Sequence, residues 1–409
     1  MDKQFASVMD GLSPRARRVA IGSLQGLPPD VRRTLEDSLT AMERLLKEDP
    51  RAAMDVLRMV KGLFEPLVEP LARVAIVGPV NVGKSSLYNT LAAADQQAAS
   101  GPVPGTTRDV QQGDMGVFHL VDTPGADRAN ATDERARALQ AAATADFLLV
   151  VFDATRGVLA SDKSLYDELA ALGKRMLVAL NKIDRVESKH RAAVVEAAAK
   201  TLSLTPPDVV ATSATEGIGI QRLVLELAAA EPRLLGQLGK TLVPMRRQLA
   251  WQAIRRSTVG AALVALAPLP MLDLIPLAAI QVSLVLTVAK IHGKPMGVAQ
   301  AFQTLGTLGA GILARSIFAE LAKLGGVPGW VLSASVAASA TAVIGYSAVV
   351  FNETGRKPTR AQITHMTRSL QGRFAKLLGS LGRRKPKKAQ VTQLLEEAFP
   401  SPDELSGQP

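Results

Sequence analysis

Residues 78–85 read GPVNVGKS and directly follow the apolar run VAIV at residues 74–77. An apolar strand, a glycine-rich turn and the start of a helix, in that order, match the pattern GxxxxGK[ST] of a phosphate-binding loop. Glycines let such a turn point its N–H groups at phosphate oxygens, and the helix N-terminus adds partial positive charge. A chance match on a glycine-rich turn is the alternative, but the helical pattern SLYNTL at residues 86–91 argues against it. The stretch predicts an α/β fold that binds a phosphorylated ligand.

Two side chains of this loop carry chemistry. Lys84 is expected to reach the β- and γ-phosphates, and the hydroxyl of Ser85 is expected to ligate Mg²⁺. The residues expected around the phosphates are Gly78, Asn81, Val82, Gly83, Lys84, Ser85 and Ser86. The loop alone leaves open which nucleotide binds.

Three later motifs indicate the nucleotide, and each follows an apolar run that predicts a strand. The first is DTPG at residues 122–125, where Asp122 is expected to hold Mg²⁺ through water and the N–H of Gly125 to meet the γ-phosphate. The second is NKID, which comprises Asn181, Lys182, Ile183 and Asp184. The third is Ser213-Ala214, whose backbone is expected to face guanine O6.

The NKID motif selects the base. The carboxylate of Asp184 can accept two hydrogen bonds from guanine N1–H and N2–H₂, and adenine offers no such pair of donors. Ligands of open α/β sheets bind at the carboxyl ends of the strands, where all four motifs are predicted to lie. The sequence therefore predicts a site for GTP or GDP.

Residues 71–232 resemble a translation-factor-type GTPase domain, of the bacterial branch that includes Era and the tRNA-modification GTPase. The four motifs carry the resemblance, and GTTRD at residues 105–109 is similar to the first switch of this branch. The resemblance implies hydrolysis of GTP with Mg²⁺ bound. It also implies that Thr107, in preference to Thr106, ligates Mg²⁺ and senses the γ-phosphate. The catalytic set that follows is Lys84, Thr107 and Gly125.

The same resemblance indicates slow hydrolysis and a use for potassium. Ras-type enzymes orient the attacking water with a Gln directly after the Gly of this motif, and here that position is Ala126. Potassium-activated members of the branch use an Asn of the phosphate loop to help hold K⁺, and Asn81 matches it. The other interpretation is that Asn81 only shapes the loop. The stretch from Thr107 to Asp122 is short for this branch, which leaves the shape of the first switch open.

Composition excludes several other classes of site. The chain has 409 residues, enough for two or three domains, and no Cys, so disulfides, zinc-thiolate sites and cysteine nucleophiles are excluded. Four scattered histidines lack the spacing of metal ligands and are expected to be solvated or packing residues: His119, His190, His292 and His365. Residues 1–27 carry charges and have no apolar signal-peptide core, so the nucleotide domain is expected in the cytoplasm.

Four regions follow from the pattern along the chain. Residues 1–70 read as helices with an apolar stripe, either packed in the same chain or used for dimerisation. Residues 71–232 alternate strands and helices, typical of a mostly parallel sheet with helices on both faces. Residues 233–355 read as an apolar all-α domain, and residues 356–409 as a basic C-terminal tail.

The apolar domain is expected to associate with a membrane. Residues 257–289 carry only the charge of Asp273, residues 295–314 and 327–351 carry none, and each stretch is long enough to cross a bilayer. The first stretch is broken by prolines and is expected to form a helical hairpin that turns at residues 267–273. Cations on both flanks predict an even number of crossings, or re-entrant hairpins, from the cytoplasmic side of the bacterial inner membrane.

Three further features bear on this expectation. Trp251 and Trp330 lie near the edges of apolar segments, as interfacial anchors do. The stretches PLPMLD at residues 268–273 and AKIHG at residues 289–293 resemble an uncharacterised helical domain that follows Era-like GTPase domains. The resemblance covers residues 245–355 and implies membrane association. Asp273 is either functional or a helix cap. The alternative is a soluble bundle, rich in Ala and Gly, whose uncharged helices bury one another.

The net charge of +11 equals the eleven Lys and Arg residues between positions 356 and 388, a segment without Asp or Glu. Such a block indicates anionic lipid or, as the less favoured partner, RNA; a solvated tail is the third interpretation. The sequence thus predicts a GTP-hydrolysing switch at the cytoplasmic face of the membrane, acting on an unidentified effector protein. The alternatives are a ribosome- or RNA-associated assembly GTPase and a membrane-remodelling GTPase that self-assembles as a GTP-dependent dimer.

Overall fold

This computed structural model describes residues 72–92, 118–122, 139–266, 274–307, 328–382, 384, 386–401 and 404. The chain divides into two compact units, one of which is Pro70–Met245, while the other contains Arg246–Pro409. The predicted N-terminal helices, the first switch and the turn of the predicted hairpin lie outside the described residues.

The first unit is built on a five-stranded sheet in which all neighbouring strands are parallel. The strands are β1 Val74–Gly78, β2 Phe118–Asp122, β3 Phe147–Asp153, β4 Arg175–Asn181 and β5 Val209–Ala211. Their order in the sheet is β2-β1-β3-β4-β5, so the chain reverses its direction of winding at β1. Ligands of doubly wound sheets bind at such a switch point, and the loop of residues 79–83 begins there.

Helices cover both faces of this sheet. They are α1 Lys84–Ala92, α2 Ala160–Ala171, α3 Arg191–Leu202, α4 Ile220–Ala230 and α5 Leu235–Thr241. Side chains alternate along β3: Leu148, Val150 and Phe152 pack in one core with Leu169 of α2 and Leu202 of α3. The intervening β3 side chains are fully buried as well, and α4 contacts β4. The predicted α/β fold is therefore confirmed.

The second unit is helical. Its helices are α6 Arg246–Ala265, α7 Leu274–Ile291, α8 Val298–Thr307, α9 Gly329–Thr354, α10 Arg360–Gly379 and α11 Lys388–Glu397. The long helix α9 packs against α6, α7 and α10, while α8 packs on α7 and α11 on α6. This arrangement confirms the prediction of an all-α C-terminal region.

Close packing of α6, α7 and α9 fixes their relative directions. A Cβ on Gly345 of α9 would lie 2.6 Å from Ile254 Cγ1 and 2.8 Å from Leu284 Cδ2. A second contact between the same three helices, one or two helical turns away, is formed by Ala261, Ile280 and Ala337. From the first contact to the second, residue numbers fall in α9 and α7 and rise in α6. Helix α6 therefore runs antiparallel to α9, and α7 runs parallel to it.

Among the described helices, α9 alone is long and apolar enough to cross a membrane by length and composition. It has 26 residues and a mean hydropathy of 1.7 in its most apolar window, and 78% of that window is buried within the protein. A buried core helix of a soluble protein passes the same test. The predicted membrane association therefore stays a prediction.

The segment expected as a basic tail forms two packed helices, α10 and α11. Met366, Leu370, Phe374 and Leu378 of α10 are buried, while Arg368, Arg373 and Lys376 are exposed. Trp251 of α6 packs on the residues that follow α11, and its role as an interfacial anchor stays a prediction. Its Nε1 donates to the carbonyl oxygen of Pro400 at 2.9 Å, and its ring centroid lies 5.5 Å from that of Phe399.

Candidate nucleotide-binding site

The phosphate loop is shaped by two glycines that tolerate no side chain. A Cβ on Gly78 would collide with the carbonyl oxygen of Val151, so β1 approaches β3 closely at this point. Gly83 adopts a left-handed backbone with φ of 94°, and a Cβ there would collide with the amide nitrogen of Asn181. The second contact brings the phosphate loop against the NKID motif, although the two are about a hundred residues apart in sequence.

Lys84 lies inside the arch of the loop. Its side chain is buried, and Nζ donates to the carbonyl oxygens of Gly78 and Pro79, each at 2.7 Å. The ammonium is thus held among the turns of the loop, where it can meet the β- and γ-phosphates. Ser85 and Ser86 are exposed in the first turn of α1, which leaves their hydroxyls open to a bound ion and phosphate.

Asn181 joins three parts of the site. Its Nδ2 donates to the carbonyl oxygen of Val82 at 2.9 Å. Its Oδ1 accepts from the N–H of Ala214 at 3.2 Å and from the hydroxyl of Thr212 at 3.4 Å. This side chain is buried, so its bonds are shielded from water and link the phosphate loop, β4 and the loop after β5.

Lys182 is held in place by a network of its own. Its backbone is left-handed, with φ of 64°. Its Nζ pairs with Asp153 Oδ2 at 2.6 Å and also donates to the carbonyl oxygen of Asn81. Asp153 Oδ1 in turn accepts from the N–H and the hydroxyl of Thr155, at 2.8 and 2.6 Å.

The charge state of Asp153 follows from this network. Burial by itself raises the pKa of this carboxyl, but hydrogen bonds from Lys182 and Thr155 and the charge of Lys182 outweigh it. The pKa of Asp153 therefore lies below its ordinary value of 3.8, and the group is ionised at neutral pH.

Asp184 lies in the short 3₁₀ turn Ile183–Arg185 and is half-buried. The N–H of Ile183 donates to the carbonyl oxygen of Thr212 at 3.0 Å, which ties the turn to the end of β5. Among the described residues no hydrogen bond to the Asp184 carboxylate is formed, so its oxygens remain available for a base.

The Ser213-Ala214 loop is braced from within. The N–H of Ser213 donates to the carbonyl oxygen of Ile218 at 2.8 Å, and its hydroxyl accepts from the N–H of Glu216 at 3.1 Å. The hydroxyl of Thr90 on α1 donates to the carbonyl oxygen of Ala214 at 3.2 Å. The Ser213 side chain thus shapes the loop, as expected for a motif that presents its backbone to the base.

The structure brings together the phosphate-loop residues with Asn181, Lys182, Asp184, Ser213 and Ala214. The residue at which β2 ends, Asp122, pairs in register with Gly78 and so reaches the same edge of the sheet. Thr106, Thr107, Gly125 and Ala126 lie outside the described residues, so their predicted roles remain predictions.

Sequence analysis singled out no role for Asp153, whose contacts with Lys182 and Thr155 are seen only in the structure. The strand register places Asp153 directly opposite Asn181. The signal in the sequence was a polar pair, Asp153 and Thr155, at the carboxyl end of the apolar run FLLVVF, where such sheets place their ligands.

Comparison with known proteins agrees with this geometry. Residues 73–182 match the family model described as 50S ribosome-binding GTPase. Residues 230–377 match a domain of unknown function, DUF697.

Individual relatives point the same way. GTPase Der of Pseudothermotoga lettingae is 30% identical over 46% of this chain and 43% of its own length. The tRNA modification GTPase MnmE of Synechococcus elongatus is 31% identical over 46% of this chain and 44% of its own length. A crystal structure of Aquifex aeolicus Era bound to GDP and AlF4⁻ is 26% identical, covers 47% of this chain and 67% of its own, and has a TM-score of 0.32.

The chain matches less than half the length of these curated relatives. The second unit corresponds to the match with the domain of unknown function. The chain therefore carries a GTPase domain that is similar to those of Der and MnmE, followed by a region that matches DUF697, a domain of unknown function.

Proposed function

We propose that this chain is a GTP-hydrolysing switch that turns over slowly by itself and works at the cytoplasmic face of a membrane. One observation carries the nucleotide part of the proposal. Asn181 bonds the phosphate loop at Val82 and the base loop at Ala214, so phosphate binding and guanine reading share one rigid joint.

The roles of the residues follow from their positions. Lys84 neutralises the β- and γ-phosphates, and Asp184 accepts the two guanine donors. Ser85, Asp122 and Thr107 are the residues that would hold Mg²⁺, which neutralises developing charge on the phosphates when bound. Gly125 meets the γ-phosphate, and Asn81 would help to hold a monovalent cation, which would supply the charge that an arginine finger supplies in other GTPases. Because Ala126 cannot orient water, turnover without an effector protein is slow.

Phosphate release from GTP and from ATP tests the catalytic part. The purified full chain should release phosphate from GTP in the presence of Mg²⁺ and leave ATP intact. A Lys84→Ala variant, prepared in the same way, should show no release above background, which controls for contaminating enzymes. Equal release by the variant, or equal use of ATP, would refute the proposal.

The distribution of charge in the helical unit supports the membrane part. Because α6 runs antiparallel to α7 and α9, the N-terminus of α6 lies at the same end of the helices as the C-termini of α7 and α9. That end carries six cations: Arg246, Arg247, Lys290, Lys294, Arg356 and Lys357. The remaining parts of the three helices toward the other end, residues 257–265, 274–289 and 329–345, have no charge. One basic end and one uncharged end fit insertion from the cytoplasmic side.

The packing of these helices supports the same interpretation. Small residues at their interface let the backbones approach closely, as Gly345 does against Ile254 and Leu284. A buried polar pair, Gln281 and Thr341, bridges α7 and α9 at 3.5 Å. Both features are common between helices in membranes, where small residues and polar side chains replace the hydrophobic effect.

Fractionation of cells tests the membrane part. The chain is expected in the membrane pellet, and successive washes distinguish the mode of attachment. Release by salt indicates attachment through the basic surface, and resistance to both salt and alkali indicates insertion. Recovery in the cytosol in either nucleotide state would refute the membrane proposal and leave the GTPase proposal standing.

Binding to RNA is the second candidate function. The family model matched by residues 73–182 is described as ribosome-binding, and α10 exposes Arg368, Arg373 and Lys376 on one face. Ribosome sedimentation of the full chain with GTP present tests this candidate.

Assembly as a GTP-dependent dimer, the third candidate, predicts a GTPase rate per molecule that rises steeply with protein concentration.

A further inference from the structure

The carboxylate of Asp153 is buried and fully engaged at the edge of the nucleotide site. Its side chain is 10% exposed, and its two oxygens are divided between two partners. Oδ2 lies 2.6 Å from Lys182 Nζ, while Oδ1 accepts two hydrogen bonds from Thr155. The Thr155 bonds fix the rotation of the carboxylate, so that the remaining oxygen points at the ammonium.

Lys182 is the residue that requires such an anchor. A free lysine side chain has about 2 kcal/mol of rotamer entropy to lose when it is ordered. Here Nζ reaches over to the carbonyl oxygen of Asn81, whose own backbone is left-handed with φ of 65°. The ammonium therefore holds the turn of the phosphate loop from outside, as Lys84 does from inside.

The backbone links the same parts of the chain. Asp153 and Asn181 are register partners of β3 and β4, and the N–H of Ala154 donates to the carbonyl oxygen of Asn181 at 2.8 Å. Movement at the end of β3 would thus move the NKID turn. Asp153, Lys182 and Asn81 form a chain of contacts from β3 through the base loop to the phosphate loop.

We propose that Asp153 is a positioning residue for guanine nucleotide: acting through Lys182, it holds the base loop and the Asn81 turn in their binding arrangement before the nucleotide arrives. This inference rests on the proposed GTP-binding function. Preorganisation of this kind raises the affinity for nucleotide, because the conformational entropy of the two loops is lost when the chain folds and not when the nucleotide binds.

The matched variants are Asp153→Asn and Asp162→Asn. Both remove a buried, ion-paired carboxylate of the same unit, but Asp162 pairs with Arg156 at 3.1 Å and caps α2. Titration with a fluorescent GDP analogue and a thermal melt are measured for each. Asp153→Asn is expected to weaken binding about tenfold or more, the typical effect of losing a hydrogen bond between charged groups. Asp162→Asn is expected to lower the melting temperature without changing affinity.

A double mutant separates a positioning role from a general structural one. In a Lys182→Ala background, Asp153→Asn should have no further effect on affinity, because the group through which it acts is gone. Additive losses in the double mutant, or unchanged affinity in the single mutant, would overturn the inference.

A milder variant covers the case in which Asp153→Asn does not fold. Thr155→Val removes one of the two bonds that orient the carboxylate and is expected to weaken binding about threefold, again only while Lys182 is present. Equal weakening in the Lys182→Ala background would contradict the inference. Wild-type protein that binds no guanine nucleotide would refute the proposed function itself, a result distinct from loss in the variants alone.

Discussion

At the scale of single residues, the site depends on side chains that are far apart in sequence and meet at strand ends. Asn181 fills the space that Gly83 leaves open, and its amide then bonds both neighbouring loops. Losing one partner of such a buried polar side chain is costly, because a donor or acceptor is then left without a hydrogen bond where water cannot reach it. One buried side chain therefore holds the phosphate loop and the base loop together.

Asp184→Asn should exchange guanine for xanthine recognition. The carboxylate accepts two guanine donors, while an amide offers one donor and one acceptor and so complements the xanthine edge. We expect GTP affinity to fall by about a hundredfold or more and binding of xanthosine triphosphate to appear. Competition against a fluorescent GDP analogue measures both, with Glu216→Gln in the neighbouring loop as the control. Unchanged GTP affinity would show that Asp184 does not read the base.

Potassium should stimulate turnover if Asn81 helps to hold the ion. We expect faster phosphate release in KCl than in NaCl at equal ionic strength, and no difference between the salts for Asn81→Ala. The side chain of Asn81 is exposed and its carbonyl oxygen is already held by Lys182, so the variant leaves the anchor of the loop in place. Equal rates for wild-type protein in both salts would exclude this role.

At the scale of elements, buried contacts decide how strands and helices are joined. Glu231 follows α4 and is 1% exposed, yet it carries a charge. Its carboxylate pairs with Arg175 at the start of β4 at 2.5 Å and with Arg233 at 2.9 Å. The cluster fixes the end of α4 to the sheet edge opposite the nucleotide site.

Glu231→Gln should loosen this junction. Burial by itself raises the pKa of Glu231, but bonds from Arg233 and the charges of Arg233 and Arg175 hold it below the ordinary value of 4.5. Because Glu231 is buried while Arg175 is largely exposed, the loss is expected to be about 1.5–3 kcal/mol, the range for hydrogen bonds to a charged group. Hydrogen exchange of peptides from β4 and α4 measures the loss, and Glu226→Gln, an exposed position on the same helix, is the control.

The pH dependence of the junction follows from the direction of that shift. Since the folded pKa is depressed, the stabilisation is fully present above about 4.5 and is lost as pH falls through the lower folded value. Wild-type protein should therefore lose protection of β4 and α4 in acid, while Glu231→Gln should show little change. Protection that is equal in both proteins at neutral pH would contradict the assignment.

Two glycines of the helical unit offer a test of its packing. Ala in place of Gly normally stabilises a helix by about 1 kcal/mol. At Gly260 the new Cβ would meet Ile280 Cδ1 at 3.7 Å, an ordinary contact, so Gly260→Ala should be neutral or stabilising. At Gly345 it would crowd Ile254 and Leu284, so Gly345→Ala should destabilise the unit by about 1–3 kcal/mol. Tryptophan fluorescence in urea follows this unit, since both tryptophans belong to it; a stabilised Gly345→Ala would refute the packing.

At the scale of the whole molecule, a nucleotide-binding unit is joined to a helical unit in which α10 exposes basic side chains. Reversing the charge of two of these side chains should reduce recovery of the protein in the membrane pellet. Each cation near an anionic surface contributes about 1 kcal/mol, so Arg368→Glu with Lys376→Glu should weaken attachment by tenfold or more. Lys200→Glu with Lys240→Glu changes net charge equally on the first unit and is the control. Equal recovery of both variants would mean that α10 does not contact lipid.

The local sequence determined the GTPase fold and indicated the residues that are expected to face the nucleotide. A strand, a glycine-rich turn and a helix are specified by neighbouring residues, and base selection by Asp184 follows from the chemistry of one carboxylate. These features are local, or they sit at the strand ends that a parallel sheet necessarily brings together.

The tertiary structure alone decided what holds those residues. The pairing of Asp153 with Lys182, the joint made by Asn181, and the hydrogen bond of Trp251 to Pro400 connect residues between 29 and 149 positions apart. It also turned an expected basic tail into two packed helices, because the apolar side chains of α10 are buried where that helix packs against α9 and α11. Such contacts depend on register and helix direction, which arise only when the whole chain has packed.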